Sequence, residues 1–368
     1  MIARPASRLP ALQQPTEWVK FAQSMSQDIL SDVLRSVRLR GAIFFYVNGG
    51  RNWVAEAPAS RDVAAAVVPG AEHVMEYHVI TKGAGWAAIV GQPPVRLAAG
   101  DIVMFPHGDA HVMSSAPGMR PKQFDSEWVF ATRNDPKPIP IVFHGAEEFS
   151  IGEVEHDAIT NVVCGFLGCD LRPFNPLIAT LPRLLHLPAG DEGNWIAPVL
   201  EQAVNASQNK RPGSEALLER LSETMFVDAV RRYVDTLPER SSGWLAGLRD
   251  RHVGRALALL HAEPSRDWTI EELASEVALS RSAFYERFLQ LIGQPPMQYL
   301  TQWRMQLAAK LLREGRAPVA SIALEVGYDS EAAFSRAFKR IAGKPPAAWR
   351  RTCEPQPALH AAPRSLTG

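Results

Sequence analysis

His78 and His111 are the residues best equipped for chemistry in this sequence. His78 sits in the apolar run Tyr77-His78-Val79-Ile80. His111 returns after Gly100-Asp101-Ile102-Val103-Met104-Phe105-Pro106-His107-Gly108-Asp109-Ala110, which reads as a turn, an apolar strand and a Pro-x-Gly bend. Neutral imidazole is a common metal ligand, and zinc accepts His and Cys donors together. His78 and His111, joined by Cys164 or His73, would suit a metal ion. The same histidines also suit a pocket wall, where they would be hydrogen-bonded and partly buried. That pocket would take a small organic effector, with Trp86, Phe105 and Cys164 beside it. Strand alternation can bring several of these residues to one face. Nothing supplies a full catalytic constellation, so an enzyme is not expected.

Cys164 and Cys169 offer a second chemistry. A thiol pair can report an oxidant through sulfenate or disulfide formation. Five positions apart on one strand, the two side chains point to opposite faces, unless Gly165 and Gly168 bend the chain. The plainer reading is two buried thiols acting as small hydrophobes. With Cys353, the count of three argues against a disulfide scaffold and fits a reducing compartment.

The most specific signal is a repeat. Residues 269–296 read TIEELASEVALSRSAFYERFLQLIGQPP, and residues 319–346 read VASIALEVGYDSEAAFSRAFKRIAGKPP. Ser280 matches Ser330, Phe284 matches Phe334, Phe288 matches Phe338, and Gly293-Gln294-Pro295-Pro296 matches Gly343-Lys344-Pro345-Pro346. Each copy has the makings of a helix-turn-helix. A small residue, Ala274 or Ala323, sits where a second helix must cross closely. Gly327 tolerates a positive φ in the second turn. Ser280 and Ser330 can cap the following helix, and the paired Phe residues four apart face inward. Met297 to Arg313 reads as a long helix holding the two units apart.

The elements around these residues follow from texture and charge. Asp28 to Leu39 reads as a short amphipathic helix. From Gly41 to about Asn161, short apolar runs bounded by Gly, Pro, Asn and Asp predict an all-β barrel or sandwich. Ser214 to Val234 is helical, with Leu218, Leu221, Met225, Ala229 and Tyr233 on one stripe. That stripe is either a dimer seam or a face packed on its own barrel. Leu237 to Gly243 reads as a linker. The chain has no net charge, yet residues 245–352 carry 16 basic against 11 acidic residues, leaving the rest at −5. A basic segment on an acidic partner suits a phosphate-binding module attached to something else. No apolar run is long enough for a membrane-spanning helix, and the N-terminal residues lack a signal-peptide core, so a cytoplasmic protein is expected.

Residues 249–351 resemble the AraC/XylS family of transcription regulators. The stretch from Ala323-Leu324-Glu325-Val326-Gly327-Tyr328 through Phe334-Ser335-Arg336-Ala337-Phe338-Lys339-Arg340, then Trp349-Arg350, carries the likeness. The resemblance implies two recognition helices entering successive major-groove segments of double-stranded DNA. It implies base contacts from Arg281, Ser282, Tyr285 and Glu286 in the first unit, and from Glu331, Ala332, Ser335 and Arg336 in the second. By their chemistry, Arg336 suits guanine, Glu286 suits cytosine, and Tyr285 suits a thymine methyl. Lys339, Arg340, Lys344 and Arg350 suit phosphates. A homodimer reading two half-sites is expected, with RNA polymerase as a partner if the protein is an activator.

The span from Asp28 to about Leu187 resembles the cupin-type domain of one subgroup of that family. The Gly100–His111 segment looks like the second cupin motif, and Tyr77 to Gly83 and Cys164-Gly165-Phe166 share the likeness. Metal-dependent cupin enzymes use His-x-His with a later Glu. Here His73 and His78 are five apart, so that motif is degenerate. The expected architecture is α+β and multidomain. It comprises a disordered lead-in (1–25), a cupin-like β-barrel sensor (26–187), and a helical dimerisation region and linker (188–243). An all-α tandem helix-turn-helix domain (244–352) and a disordered tail (353–368) follow. The expected function is a sequence-specific regulator whose barrel responds to a small effector, metal or oxidant. The alternative is a metal-dependent cupin enzyme fused to a DNA-binding head.

Overall fold

The structure is a computed structural model describing residues 28–121, 126–146, 148–155, 157–190, 195–238 and 240–353. The expected disordered lead-in, 1–25, lies outside the described residues, as does the expected tail, 353–368, except for Cys353, which ends the last helix.

The chain opens with α1 (Ile29–Ser36), capped by the Asp28 carboxylate on the Ser31 amide. The β region follows: β1 (Arg40–Gly49), β2 (Val54–Ala57), β3 (His73–Lys82), β4 (Ala84–Ile89), β5 (Val95–Ala98), β6 (Ile102–Phe105) and β7 (His111–Ser114). After these come β8 (Ile139–Phe143), β9 (Phe149–Ile151), β10 (Thr160–Cys169) and β11 (Leu185–Leu187), with short helices α2 (Ser60–Val67) and α3 (Glu127–Ala131) between strands.

These strands form two sheets, which corrects the expectation of a closed barrel. One has seven strands in the order β11-β6-β3-β10-β1-β8-β9, and the other four in the order β2-β7-β4-β5. The reason lies in the connections. β1 leads to β2, β3 to β4, and β6 to β7, and each connection crosses from the large sheet to the small one. Gly83 makes the second crossing at a φ of +78°, where a side chain would strike the Ile159 carbonyl. Gly108 makes the third at +68°. The sheets therefore meet through side chains, as in a sandwich.

Period-2 alternation divides the large sheet cleanly. Glu76, His78 and Ile80 of β3, with Val162, Cys164 and Phe166 of β10, face the small sheet. Met75, Tyr77 and Val79, with Val163, Leu167 and Cys169, face the other way. That second face is covered by α4 (Ile196–Gln208) and α5 (Ser214–Thr236). Leu218, Met225 and Ala229 of the predicted stripe are buried there, and the Ser222 hydroxyl meets the Tyr77 hydroxyl at 2.6 Å. Those three residues thus pack on their own domain.

The remainder is helical: α6 (Trp244–Arg249), α7 (Arg251–Ala262), α8 (Ile270–Glu276), α9 (Arg281–Ile292), α10 (Pro296–Glu314), α11 (Val319–Glu325), α12 (Glu331–Ala342) and α13 (Pro346–Cys353). No helix among the described residues is long and apolar enough to cross a membrane. The first helix-turn-helix unit, α8–α9, shares one hydrophobic core with α1, α4, α5 and the outer face of the large sheet. The second unit, α11–α12, has its own separate core.

Candidate functional site

Glu76 and His78, two apart on β3, project from the same face. His111 opens β7 in the facing sheet. All three are buried, and their donor atoms lie within 4.8 Å of one another. The His78 and His111 Nε2 atoms are 2.6 Å apart. The Glu76 carboxylate oxygens stand 3.8 Å from each of those nitrogens. His111 Nδ1 meets the Asp109 carbonyl at 2.8 Å, so Nδ1 carries the proton and Nε2 accepts. His78 must then donate from Nε2. Its Nδ1, 3.0 Å from Cys164 Sγ, accepts the thiol proton. The hydrogen bonds thus run in one direction, from the Cys164 thiol through both imidazoles to the Asp109 carbonyl. Phe105 backs the line, its ring stacked on His111 at 3.6 Å.

Burial sets the charge state of this cluster. It pushes the Glu76 carboxyl up to about 8. It pulls His111 down to about 4, against the Asp109 carbonyl, which raises it. His78 falls well below its ordinary value through burial and then through His111. At neutral pH all three are therefore uncharged. Oε2 of Glu76 has no hydrogen-bond partner, and an unsatisfied buried oxygen is a sign of an unfilled role.

The cluster faces a cavity of about 80 Å³ lined by Phe45, Trp53, Val63, Trp128, Phe143 and Phe166, among others. Of the pocket residues expected from sequence, His78 and Cys164 line it, while His111 and Phe105 stand directly behind. Trp86 does not belong. On β4, Gly85 and Ala87 face inward, so period 2 turns Trp86 to the outer surface. Trp53, fully buried, is among the aromatics that line the cavity instead. Glu76 was missed because an acid in an apolar run reads as a surface residue. Its i, i+2 spacing to His78 was the available signal. His73, the other ligand considered, lies instead against the Pro106 carbonyl at 2.6 Å.

Cys164 and Cys169 fall in opposite cores, as alternation requires, so they form no internal pair. Burial raises Cys164 well above its ordinary value, with Glu76 adding to it, and pushes Cys169 up to about 12. Oxidant sensing favours an exposed thiol of lowered pKa. These two are the reverse.

In the helical half, both repeats fold as their residues dictate. The Ser280 and Ser330 hydroxyls cap α9 and α12 by accepting from Ala283 and Ala333, each at 3.3 Å. Phe284, Phe288, Phe334 and Phe338 are fully buried. Gly327 holds a φ of +81°, and Ala278 takes the matching place in the first turn at +55°. The opposite faces of α9 and α12 stay open. Arg281, Ser282, Glu286, Glu331, Ala332, Arg336, Lys339 and Arg340 are exposed, and Tyr285 and Ser335 are half-buried. Arg281 is held to Glu271 at 3.0 Å. α12 ends in Lys339 and Arg340, a basic edge suited to phosphate.

The linking helix α10 is seated on the first domain. Gln306, 1% exposed, donates to the Ser36 carbonyl at 2.9 Å and accepts from the Phe174 amide at 3.1 Å. Arg313 pairs with Asp170 at 3.0 Å and donates to Ser36 at 3.1 Å.

A family model described as Cupin matches residues 28–235, and one described as Helix-turn-helix domain matches residues 273–352. A protein named as an AraC-like transcription regulator in Streptomyces lividans is 33% identical over 88% of this chain and 98% of its own length. The HTH-type transcriptional regulator AlkR of Acinetobacter baylyi is 29% identical over 85% of this chain and 95% of its own. The chain belongs to the AraC family of transcription regulators, with a cupin domain ahead of a tandem helix-turn-helix DNA-binding domain.

Proposed function

We propose that the Glu76–His78–His111 cluster is the sensing centre of this regulator and binds a divalent transition metal, whose presence changes how the head engages DNA. The observation that carries this is three buried, mutually facing ligand groups, one with an orphaned oxygen, two of them on the wall of a small cavity and His111 directly behind. Two imidazole nitrogens and a carboxylate are a donor set that zinc and ferrous iron both take, with a position left towards the cavity. The cavity's size favours this over a bulky effector. At roughly 10–15 Å³ per water it holds only about half a dozen waters. A bound ion would supply positive charge where the protein now keeps all three groups uncharged. The chain's own part would be a proton rearrangement: Glu76 would release its proton to solvent to serve as a carboxylate ligand, and with Nε2 of His78 engaged the imidazole proton would sit on Nδ1, turning Cys164 from donor to acceptor.

Contiguity supports a route to the head. Cys164 lies on β10, and Asp170, one residue beyond that strand, pairs with Arg313 of α10. Metal occupancy would bias how α10 is seated. A homodimer would present two such heads to a two-fold operator.

Native mass spectrometry on protein purified without chelator is the test. A mass excess matching one metal ion is expected, lost in His78→Ala and His111→Ala. A bare mass that stays bare after zinc or ferrous iron is added would sink the reading.

On DNA, the exposed faces of α9 and α12 would read bases. Arg336→Ala should weaken a selected site by about 1–3 kcal/mol and relax one base position. Lys339→Ala should weaken all duplexes alike and lower the salt slope by about one. Equal loss on selected and random duplexes for Arg336→Ala would remove Arg336 from the base-reading set.

A further inference from the structure

The two helix-turn-helix units do not share a core. Phe284 and Phe288 belong to the apolar cluster that runs on into the first domain, whereas Phe334 and Phe338 pack in a separate one. α10 joins them: its Tyr299, Leu300 and Trp303 pack with the first unit, and its Met305, Ala308, Ala309 and Leu312 with the second, so each unit is seated on the helix through a core of its own.

Arg304, half-buried in the middle of α10, adds a direct tie between the two units outside either core. Its Nε donates to the Pro264 carbonyl at 2.6 Å, and one terminal nitrogen donates to the Arg266 carbonyl at 2.8 Å. Both carbonyls lie in the turn that leads into the first unit. The other terminal nitrogen donates to the Gly327 carbonyl at 3.3 Å, in the turn of the second unit. One planar guanidinium thus bonds the backbones of both units. The two turns touch directly beneath it. A side chain at position 327 would come within 2.7 Å of the Ser265 carbonyl oxygen. A guanidinium has donors in a rigid fork, which a lysine ammonium cannot reproduce.

We propose that Arg304 is a positioning residue that fixes the second recognition helix relative to the first, and so sets the spacing between the two DNA segments the head reads. This rests on the reading that both units contact one duplex. Arg304 needs no contact with DNA for this role. Its effect falls on register rather than on attraction.

The experiment uses the full chain and a duplex selected by it from a random pool, with the two contacted segments located by hydroxyl-radical footprinting. Affinity is measured on that duplex, on one with two base pairs inserted between the segments, and on random duplex. For the wild type the insertion should weaken binding about 30-fold, the loss of roughly one unit's base contacts. In Arg304→Ala, affinity for the selected duplex should fall about tenfold. The same insertion should then cost less than about threefold, because the second unit, no longer bonded to the first unit's turn, can shift with α10 to follow its segment. Arg304→Lys should fall between the two. Random-duplex affinity should be unchanged, which a misfolded head would not allow. If Arg304→Ala keeps the wild-type penalty for the insertion, the proposal is overturned while the two-unit reading stands. If the wild type itself ignores the insertion, both fall together.

Discussion

Gly327→Ala is expected to destabilise the DNA-binding head by about 2–5 kcal/mol and to weaken binding to a selected duplex at least about tenfold. Two separate penalties add. The φ of +81° is a left-handed conformation that costs an L-residue about 1–2 kcal/mol. The new Cβ would also stand 2.7 Å from the Ser265 carbonyl oxygen and 2.8 Å from the Ser265 Cα. Both are backbone atoms of the neighbouring turn, so neither can rotate away, and overpacking of this kind costs about 1–3 kcal/mol. The first unit bears its Ala278 at +55° at the matching place, so the conformation alone is survivable. It is the contact with residue 265 that should make position 327 intolerant. Urea unfolding and duplex anisotropy would check both effects. An alanine variant of wild-type stability would mean that the turns do not touch as described.

Zinc should stabilise the first domain strongly. A ligand at about one hundred times its dissociation constant adds about 2.7 kcal/mol. For units of this size that is about 5–10 °C in Tm. His111→Ala should abolish the shift by removing one donor and leaving His78 and Glu76 without their partner. Glu76→Gln should reduce it sharply while preserving shape, because an amide is a poor ligand where a carboxylate is wanted. A full zinc shift in His111→Ala would show that the ion binds elsewhere.

The head was legible in sequence for a physical reason. Each of its devices is local: Ser280 and Ser330 as caps, the Phe pairs four apart, Gly293 and Gly343 at the helix ends. Local devices can be read from spacing, and the repeat supplied a second reading of each. The first domain was harder. Alternation correctly separated Cys164 from Cys169, and the bend at Pro106–Gly108 correctly returned His111 towards His78. Alternation applied to β4 would have excluded Trp86, and applied to β3 it would have joined Glu76 to His78. Sheet closure was misjudged because it depends on which strands cross at Gly83 and Gly108, and apolar texture carries no record of that. The seats of Gln306 and Arg304 were invisible in advance. Their partners are backbone carbonyls and an amide, and only the fold brings those groups to hand.

If the cupin domain governs the head, the affinity of the full chain for its selected duplex must differ between protein stripped of zinc and protein with zinc restored. A change of at least about fivefold is expected, the lower end of ordinary coupling between sites, and none in His111→Ala. Equal affinity in both states, with zinc shown to be bound, would mean that the metal does not reach the head.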